Sequence, residues 1–387
     1  MCQNTLLSAA EECGLKTRFC FEPVSAAPRL AKSLLPYGKV LLLADESVSA
    51  VLHSMRGQFA GFKIFCVVLG GGDRAEGLFS LPDDVRLCVA VGRRSIAAAR
   101  FFCTLRGAFL LAVPDMLYQE GMLSSASSCG YPVEEPDIVL FDENFVGGRG
   151  RAACIAAASL SALCAEDIDI DAVFSGERKE YGYRQLCRSA ELAKGADDAS
   201  RFAACALQEI ALRPFSRYPS LAFFRQLSRG GEKVGQSAFA ALVYAVRQYA
   251  ALFENARLRP YFVADYAARV RRAAQFVGRE AFENIQVPTA EVSFARARTF
   301  AECREHFCVA AGLLRGYAER VRECYYLAGG IRPAVRTDAL QEAYSLSCDL
   351  SPLLSAGALA RDFGLPNMCG GIMGQNADRL AEKRLFG

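Results

Sequence analysis

Short, nearly continuous apolar runs alternate with longer mixed stretches between Lys39 and about Phe141. Five runs show this pattern, and each ends in a polar or glycine-rich turn: KVLLLADES, FKIFCVVLGGG, VRLCVAVGRRS, GAFLLAVPD and PDIVLFDEN. Strands that are apolar without alternation are covered on both faces, and the intervening lengths fit helical crossovers. The pattern therefore predicts an open parallel sheet, with ligands expected at the carboxyl ends of its strands.

After the glycine-rich linker at 147–150 the pattern changes to helical periods. Long amphipathic stretches bounded by Gly or Pro follow, among them GQSAFAALVYAVRQYAALF, PYFVADYAARVRRAAQFVG and TFAECREHFCVAAGLLRGYAERVRECYYLAGG. A chain of 387 residues is also too long for a single core. We therefore predict two domains, an α/β nucleotide-binding domain at 1–148 and an all-α helical bundle at 149–387.

The charge balance, the lengths of the apolar runs and the cysteine positions indicate which partners and which compartment to expect. The 45 Lys and Arg residues nearly balance the 42 Asp and Glu residues and are scattered along the chain, which argues against nucleic acid as a partner. No apolar run reaches spanning length, and the first residues lack the pattern of a secretory signal, so we expect a cytoplasmic protein without a membrane partner. The 16 cysteines lie within strands and helices, which indicates buried thiols in a reducing compartment.

Two groups at the predicted carboxyl ends of strands are candidates for ligand binding. Asp45 closes the first predicted strand, where a carboxylate can accept hydrogen bonds from the hydroxyls of an adenosine ribose; an Asp there can equally cap the helix that follows. Gly92, Arg93, Arg94 and Ser95 form a turn between a strand and a helix N-terminus, which favours an anion. The two arginines either grip a phosphate or belong to a solvated surface turn.

The chain has only two histidines, which limits the metal sites that it could form. His53 has no paired ligand nearby in the sequence, and His306 shares a helical face only with Cys303. A metal needs three or four ligands, so packing explains this Cys–His pair better than metal binding does.

With an α/β half followed by a helical half, the chain resembles the iron- or zinc-dependent polyol dehydrogenases that share a fold with dehydroquinate synthase. The resemblance is greatest to their sn-glycerol-1-phosphate dehydrogenase branch. The resemblance covers roughly Lys39 to Ala251. Where that family has the nucleotide loop G-G-G-S/T-x-x-D, this chain has GRRSIAA at 92–98. Where it has P-T-A-P-S-x-D-G-Y-x-S, this chain has PDMLYQEGMLS at 114–124, in which Glu120 is the surviving acid. The resemblance implies NAD(P) as a cofactor and Glu120 among its contacts.

The same resemblance implies that the family's metal ligands, one Asp and two His, are missing. The segment RAACIAAASLSAL at 151–163 contains no carboxylate where the Asp is expected. Leu221 stands at the first His position, and Gly230 stands at the second, in GGEKVG at 230–235. Because these residues cannot hold a divalent cation, we expect no metal and assign no catalytic residue.

These residues lead to three functional hypotheses. The first is a degenerate sn-glycerol-1-phosphate dehydrogenase-like protein that is non-catalytic or has altered activity. The second is an active NAD(P)-dependent oxidoreductase that reduces dihydroxyacetone phosphate or a related polyol substrate at a relocated site. The third is a sensor or partner subunit that binds a small phosphorylated molecule or a nucleotide through its arginine turn. The sequence leaves the formation of a homo-oligomer open.

Overall fold

The computed structural model describes most of the chain in two compact units. The described residues are 2–70, 75–119, 121–124, 132–176, 182–212, 220, 223–224, 233–254, 290–350 and 353–362. The first unit is Met1–Cys154 with Gly195–Pro214, and the second is Ile155–Lys194 with Phe215–Gly387. The first unit thus ends its main stretch slightly beyond the predicted boundary at 148, and it includes a later segment that the sequence pattern places in the helical half.

A six-stranded parallel sheet forms the centre of the first unit. Its strands run in the order β1-β6-β5-β4-β2-β3, with all five neighbouring pairs parallel. The strand bounds are β1 Arg18–Phe21, β2 Gly38–Asp45, β3 Phe62–Leu69, β4 Val85–Val91, β5 Phe109–Val113 and β6 Ile138–Phe141. The five apolar runs correspond to β2 to β6, so the predicted parallel sheet is confirmed.

The central strands are buried on both faces over most of their length, because they are apolar at nearly every position. One set of alternate residues, including Val40, Leu42 and Val89, packs in a core with the helices Ala27–Leu34 (α2) and Ser49–Arg56 (α3). The other set faces the opposite side of the sheet, where the helix Arg93–Arg106 (α4) packs on β2, β4 and β5. The edge strand β3 differs from the expectation, since its residues are exposed or half-buried up to Leu69.

Three further helices belong to the first unit: α1 Cys2–Glu12, α5 Glu143–Val146 and α8 Asp198–Leu212. The helix α8 contacts α1 and carries Phe202, whose ring stacks on Phe141 of β6 with centroids 4.3 Å apart. Asp198, at the start of α8, is buried and forms ion pairs with Arg151 and Arg201. These contacts explain why Gly195–Pro214 belongs to the first unit.

The second unit consists of helices. The helix α6, Arg151–Ser175, begins in the first unit and continues into the second, whose other described helices are α7 Tyr183–Ala193, α9 Val234–Glu254, α10 Ala290–Leu327, α11 Thr337–Leu350 and α12 Ala356–Asp362. The predicted stretch GQSAFAALVYAVRQYAALF lies in α9, and TFAECREHFCVAAGLLRGYAERVRECYYLAGG lies mainly in α10. The stretch PYFVADYAARVRRAAQFVG lies outside the described residues.

Aromatic side chains form much of the core between α9 and α10. Phe253 of α9 lies 5.4 Å from Phe300 and 4.8 Å from Phe307, measured between ring centroids. Phe239 stacks on Tyr325 at 4.5 Å. Each of these side chains is buried, so one face of α10 is fully used by packing within the unit.

Among the helices of the described residues, none combines the length and the apolar character needed to cross a membrane.

Candidate functional site at the carboxyl edge of the sheet

Asp45, the last residue of β2, lies against the N-terminus of α4. Its Oδ2 accepts a hydrogen bond from the Arg94 N–H at 3.0 Å, and its Oδ1 accepts one from the Ser95 N–H at 2.7 Å. The Ser95 hydroxyl also donates to Oδ1 at 2.6 Å. The carboxylate therefore occupies the position at which a helix N-terminus would bind an external anion. It makes no capping bond to the short 3₁₀ helix that follows it, Glu46–Val48.

Gly92 permits this contact between a strand end and a neighbouring helix. Its φ is +97°, and a Cβ atom added there would lie 2.8 Å from the Asp45 Cγ. A side chain at this position would be strained by the backbone conformation and would also displace the carboxylate. The glycine thus makes room for the chain's own Asp45.

Asp115 lies two residues beyond the end of β5, at the same edge of the sheet. The side chain is buried, and its Oδ1 has no hydrogen-bond partner among the described residues. The pKa of Asp115 is raised above its ordinary value, mainly by burial. The Asp45 carboxylate adds to this increase, and the Arg149 guanidinium opposes it. A buried carboxyl oxygen without a partner is costly, and a ligand that donates a hydroxyl or N–H hydrogen would satisfy it.

A third aspartate, Asp142, follows β6 and is satisfied within the chain. Its carboxylate caps the short helix α5 by accepting from the Asn144 and Phe145 N–H groups, and it also accepts from the Val24 N–H at 2.8 Å. Of the three aspartates at this edge, only Asp115 has an oxygen without a partner within the described part of the chain. We call Asp45, Gly92, Ser95 and Asp115 the edge site.

The structure brings most of the predicted cofactor contacts together. Asp45, Gly92 and Ser95 meet as described, while Arg93 and Arg94 are exposed at the first turn of α4. Glu120 lies outside the described residues. Their assignment to cofactor binding stays a prediction.

A second group of carboxyl side chains lies on α6, in the second unit. Each accepts a hydrogen bond from a different segment. Glu166 accepts from the Tyr249 hydroxyl at 2.9 Å, and Asp169 accepts from the Tyr183 hydroxyl at 2.9 Å. Asp171 accepts from the Leu354 N–H at 3.0 Å. These bonds tie α6 to three other segments of the unit.

Asp167 is the most deeply buried of these acids. Its Oδ2 accepts from both the N–H and the hydroxyl of Ser220, at 3.2 and 2.8 Å. Burial raises the pKa of Asp167 to about 7, against the effect of the Ser220 bonds. Burial likewise raises the pKa of Glu166 to about 7, although the Tyr249 hydroxyl lowers it. This pair therefore titrates near neutral pH.

The described residues do not fit a catalytic metal. They contain no group of three or more His, Cys, Asp or Glu side chains placed to hold an ion. His53 is exposed on α3; His306 is exposed on α10, and the neighbouring Cys303 is half-buried. The predicted ligand positions Leu221 and Gly230 lie outside the described residues, so the expected absence of a metal stays a prediction.

Three acids that the structure removes largely from solvent, Asp115, Glu166 and Asp167, were not among the residues predicted from the sequence. Asp115 follows β5 much as Asp45 ends β2, so its position at a strand end was a signal for the same edge. Glu166 and Asp167 stand in AEDIDID, where acids alternate with apolar residues on a helix. Nothing local in that segment indicates which carboxylates become buried, because Ser220 and Tyr249 reach them from distant positions.

Comparison with known proteins identifies the fold. No protein-family model and no curated protein sequence matches the chain. Among solved structures, the chain is similar to the glycerol dehydrogenase of Schizosaccharomyces pombe, with a TM-score of 0.50 and 13% identity over 83% of this chain and 94% of that one. It is also similar to a 1,3-propanediol oxidoreductase, with a TM-score of 0.52 and 12% identity over 90% of this chain and 97% of that one. The predicted α/β plus all-α architecture is thereby confirmed.

Proposed function

We propose that this chain is a non-catalytic relative of the polyol dehydrogenases, nearest to their sn-glycerol-1-phosphate dehydrogenase branch. The observation that carries the proposal is the Asp45 carboxylate at the N-terminus of α4. A dinucleotide in a parallel α/β domain places its pyrophosphate at such a helix N-terminus. Here the Arg94 and Ser95 N–H groups are already bonded to an anion of the chain itself.

Electrostatics and space both oppose a phosphate at this position. Two unit negative charges 4 Å apart repel by about 4 kcal/mol at an effective dielectric constant of about 20. A phosphate would also have to displace a carboxylate that accepts three hydrogen bonds from Arg94 and Ser95. The resemblance implies a second requirement, a metal that polarises the substrate hydroxyl, held by one Asp and two His; in their places this chain has the acid-free segment 151–163, Leu221 and Gly230. Both observations support loss of the dehydrogenase reaction.

Dinucleotide binding and oxidation test the proposal directly. The chain is titrated with NADH and NADPH, and oxidation of each is followed with dihydroxyacetone phosphate in the presence of zinc or ferrous iron. The glycerol dehydrogenase of Schizosaccharomyces pombe, assayed in parallel for NADH oxidation with dihydroxyacetone, the oxidised form of glycerol, serves as the active control. We expect no oxidation above the blank, and steady turnover by this chain would refute the proposal.

A variant that opens the helix N-terminus sharpens the test. Asp45→Ser removes the carboxylate and keeps a capping oxygen, so inorganic pyrophosphate should stabilise the variant and leave the wild type unchanged in a thermal-shift assay. Asp142→Ser removes a comparable capping aspartate from the neighbouring strand end and is the matched control, for which no stabilisation is expected. Equal stabilisation of the wild type and Asp45→Ser would mean that the carboxylate does not block the site.

A phosphorylated ligand other than a dinucleotide is the second candidate, supported by the exposed Arg93 and Arg94 side chains. Guanidinium groups bind phosphate as a bidentate fork without needing the helix N–H groups. A panel of sugar phosphates at millimolar concentration tests this role. Stabilisation of the wild type that is lost in Arg93→Gln with Arg94→Gln would favour it over the first proposal.

A further inference from the structure

Two buried cysteines of the first unit bring their sulfur atoms into contact. Cys154 lies in the first turn of α6, and Cys205 lies in the middle of α8, 51 positions later in the chain. Their Sγ atoms are 3.2 Å apart. Even carbon atoms, which are smaller than sulfur, are in best non-bonded contact at about 3.5 to 4.0 Å. The fold therefore holds the two sulfurs closer than ordinary packing requires.

The backbones that carry these thiols are held together by other contacts as well. The Cys154 thiol donates to the Arg201 backbone oxygen at 3.1 Å, and the Cys205 thiol donates to the Cys154 backbone oxygen at 3.7 Å. Asp198 pairs with both Arg151 and Arg201, which precede the two cysteines by about one helical turn. The start of α6 and the first half of α8 are thus fixed against each other independently of the sulfur contact.

We propose that Cys154 and Cys205 form a modification site, at which a hydroperoxide generates an intramolecular disulfide. The bond requires the sulfurs to move from 3.2 Å apart to about 2.05 Å. A rotation of about 20° around each Cα–Cβ bond is enough for this movement, and it stays within the ~30° range of a staggered rotamer. The disulfide therefore requires no shift of either helix.

The exposure of the two thiols sets the order of the steps. Cys205 is 7% exposed and Cys154 is 0% exposed, so hydrogen peroxide reaches Cys205 first. The Cys205 sulfur bonds to one peroxide oxygen as the O–O bond breaks, and its thiol proton leaves with the other oxygen as water, which gives a sulfenic acid. The Cys154 sulfur then bonds to the Cys205 sulfur and displaces the hydroxyl group, which leaves with the Cys154 proton as a second water. The thiols lose two electrons, and the peroxide gains them.

The same surroundings make the reaction slow and the product durable. The hydrogen bond with Cys154 and burial raise the pKa of Cys205 well above its ordinary value, so little thiolate is present near neutral pH. Once formed, the disulfide is enclosed in the core and poorly accessible to thiol reductants. The pair therefore responds to sustained oxidation and is not a rapid sensor.

The disulfide would join the two chain segments of the first unit covalently. Glu209 lies one turn beyond Cys205 on the same face of α8. Its carboxylate accepts hydrogen bonds from the Gly121 and Leu123 N–H groups, in the loop that follows β5. The bond thus fastens the helix that holds this loop. This inference rests on the α6–α8 contact and does not depend on the proposed function.

Peptide mapping tests the linkage. The reduced, folded chain is incubated with excess hydrogen peroxide, its remaining thiols are alkylated in denaturant, and the chain is digested with trypsin. We expect peptide 152–178 to be joined to peptide 202–217, two hydrogen atoms lighter than the sum of the two. Cys164 shares the first peptide, so Cys164→Ala should keep this linkage and Cys154→Ala should abolish it.

Thermal unfolding gives an independent measurement. The oxidised wild type should melt roughly 5 to 10 °C above the reduced form, because the bond constrains a long loop of the unfolded chain. Cys154→Ala should show no such increase. The exposed Cys66 and Cys308 report that the oxidant has acted. If these two are oxidised while Cys154 and Cys205 are still recovered as alkylated thiols, the inference is overturned. An equal increase in melting temperature for Cys154→Ala also overturns it.

Discussion

In the first unit, the buried Asp45 accepts hydrogen bonds from two backbone N–H groups and a hydroxyl, and the buried Asp198 pairs with guanidinium groups. In the second unit, the half-buried Glu166 and the buried Asp167 have no guanidinium partner among the described residues; they accept hydrogen bonds from hydroxyl groups and one backbone N–H and lie near other acids. The ion pair with Arg151 and Arg201 lowers the pKa of Asp198. Burial raises the pKa of Glu166 and of Asp167 to about 7. Burial alone therefore does not decide the charge of a carboxyl group; the partner that the fold supplies decides it.

Because of this contrast, the stability contributed by Asp198 and that contributed by Glu166 and Asp167 should change in opposite directions with pH. A carboxyl group whose pKa is lowered on folding contributes stability above its ordinary pKa, and that stability is lost as the pH falls. A group whose pKa is raised is most favourable while protonated, so stability is lost as the pH rises from its ordinary pKa to about 7. Acid should thus weaken the Asp198 contacts and strengthen the surroundings of Glu166 and Asp167.

The largest expected effect follows from Asp198→Asn. This change leaves the guanidinium groups of Arg151 and Arg201 without their anion. Breaking a fully buried pair costs about 3 to 5 kcal/mol, and because the Arg151 side chain is 43% exposed we expect about 2 to 3 kcal/mol here. The loss should be largest near neutral pH and shrink in acid, as measured by chemical denaturation at several pH values. Asp197→Asn is the comparison variant: asparagine keeps an oxygen for the Ser200 N–H at the start of α8 and loses only the acceptor of the Ser200 hydroxyl, so a smaller loss is expected at this exposed position. A loss that does not vary with pH would contradict the charged state assigned to Asp198.

The second effect concerns the pH response of Glu166 and Asp167. The double change Glu166→Gln with Asp167→Asn keeps an oxygen for Tyr249 and for Ser220, since each acid accepts through one oxygen only. The variant should be more stable than the wild type by a few kcal/mol at about pH 8, and the gain should shrink at about pH 5 and vanish only below about pH 4. Calorimetric melting across this range measures it. An equal gain at both pH values would show that the two acids do not titrate near 7.

Much of the fold could be predicted from hydrophobic pattern alone. Strands β2 to β6 are apolar at nearly every position, which is the mark of a doubly covered parallel sheet. The edge strand β1 was missed because RFCF is short and begins with a charged residue, whereas the equally short IVLF of β6 is apolar throughout. The membership of α8 in the first unit was missed because RFAACAL resembles the other alanine-rich helices, and the contact of Asp198 with Arg151 joins residues far apart in sequence.

The sequence predicted that Asp45, Gly92 and Ser95 lie at the carboxyl edge of the sheet, but neither Asp115 nor the bonds between these groups; their role in ligand binding stays a prediction. Asp45 and Ser95 were each expected at the carboxyl edge, and both lie there. The sequence pattern treated them as separate groups that await a ligand, because a pattern locates strand ends without showing which neighbouring strands adjoin. Only the pairing of β2 with β4 brings the Asp45 carboxylate to the start of α4.

The third effect is a loss of stability at about pH 8, where the second effect is a gain. Asp45→Asn introduces an amide N–H₂ group where both carboxylate oxygens accept hydrogen bonds, so one N–H of Arg94 or Ser95 loses its acceptor. The loss should be about 1 to 2 kcal/mol at about pH 8, where Asp167→Asn alone should be stabilising. Denaturation of both variants under the same conditions measures the difference. Stabilisation by Asp45→Asn would mean that the α4 N-terminus does not favour the charge.

The smallest effect compares two serines that donate to buried aspartates. Ser95→Ala leaves Asp45 with two N–H donors at a helix N-terminus, whereas Ser220→Ala leaves Asp167 with one. At about pH 8, which lies above the pKa of Asp167, Ser220→Ala should cost about 1 kcal/mol more than Ser95→Ala, because the Asp167 carboxylate retains fewer hydrogen bonds. At about pH 5 the extra cost should disappear as Asp167 becomes protonated. Equal costs at both pH values would mean that the second unit solvates its buried carboxylates as well as the first unit does.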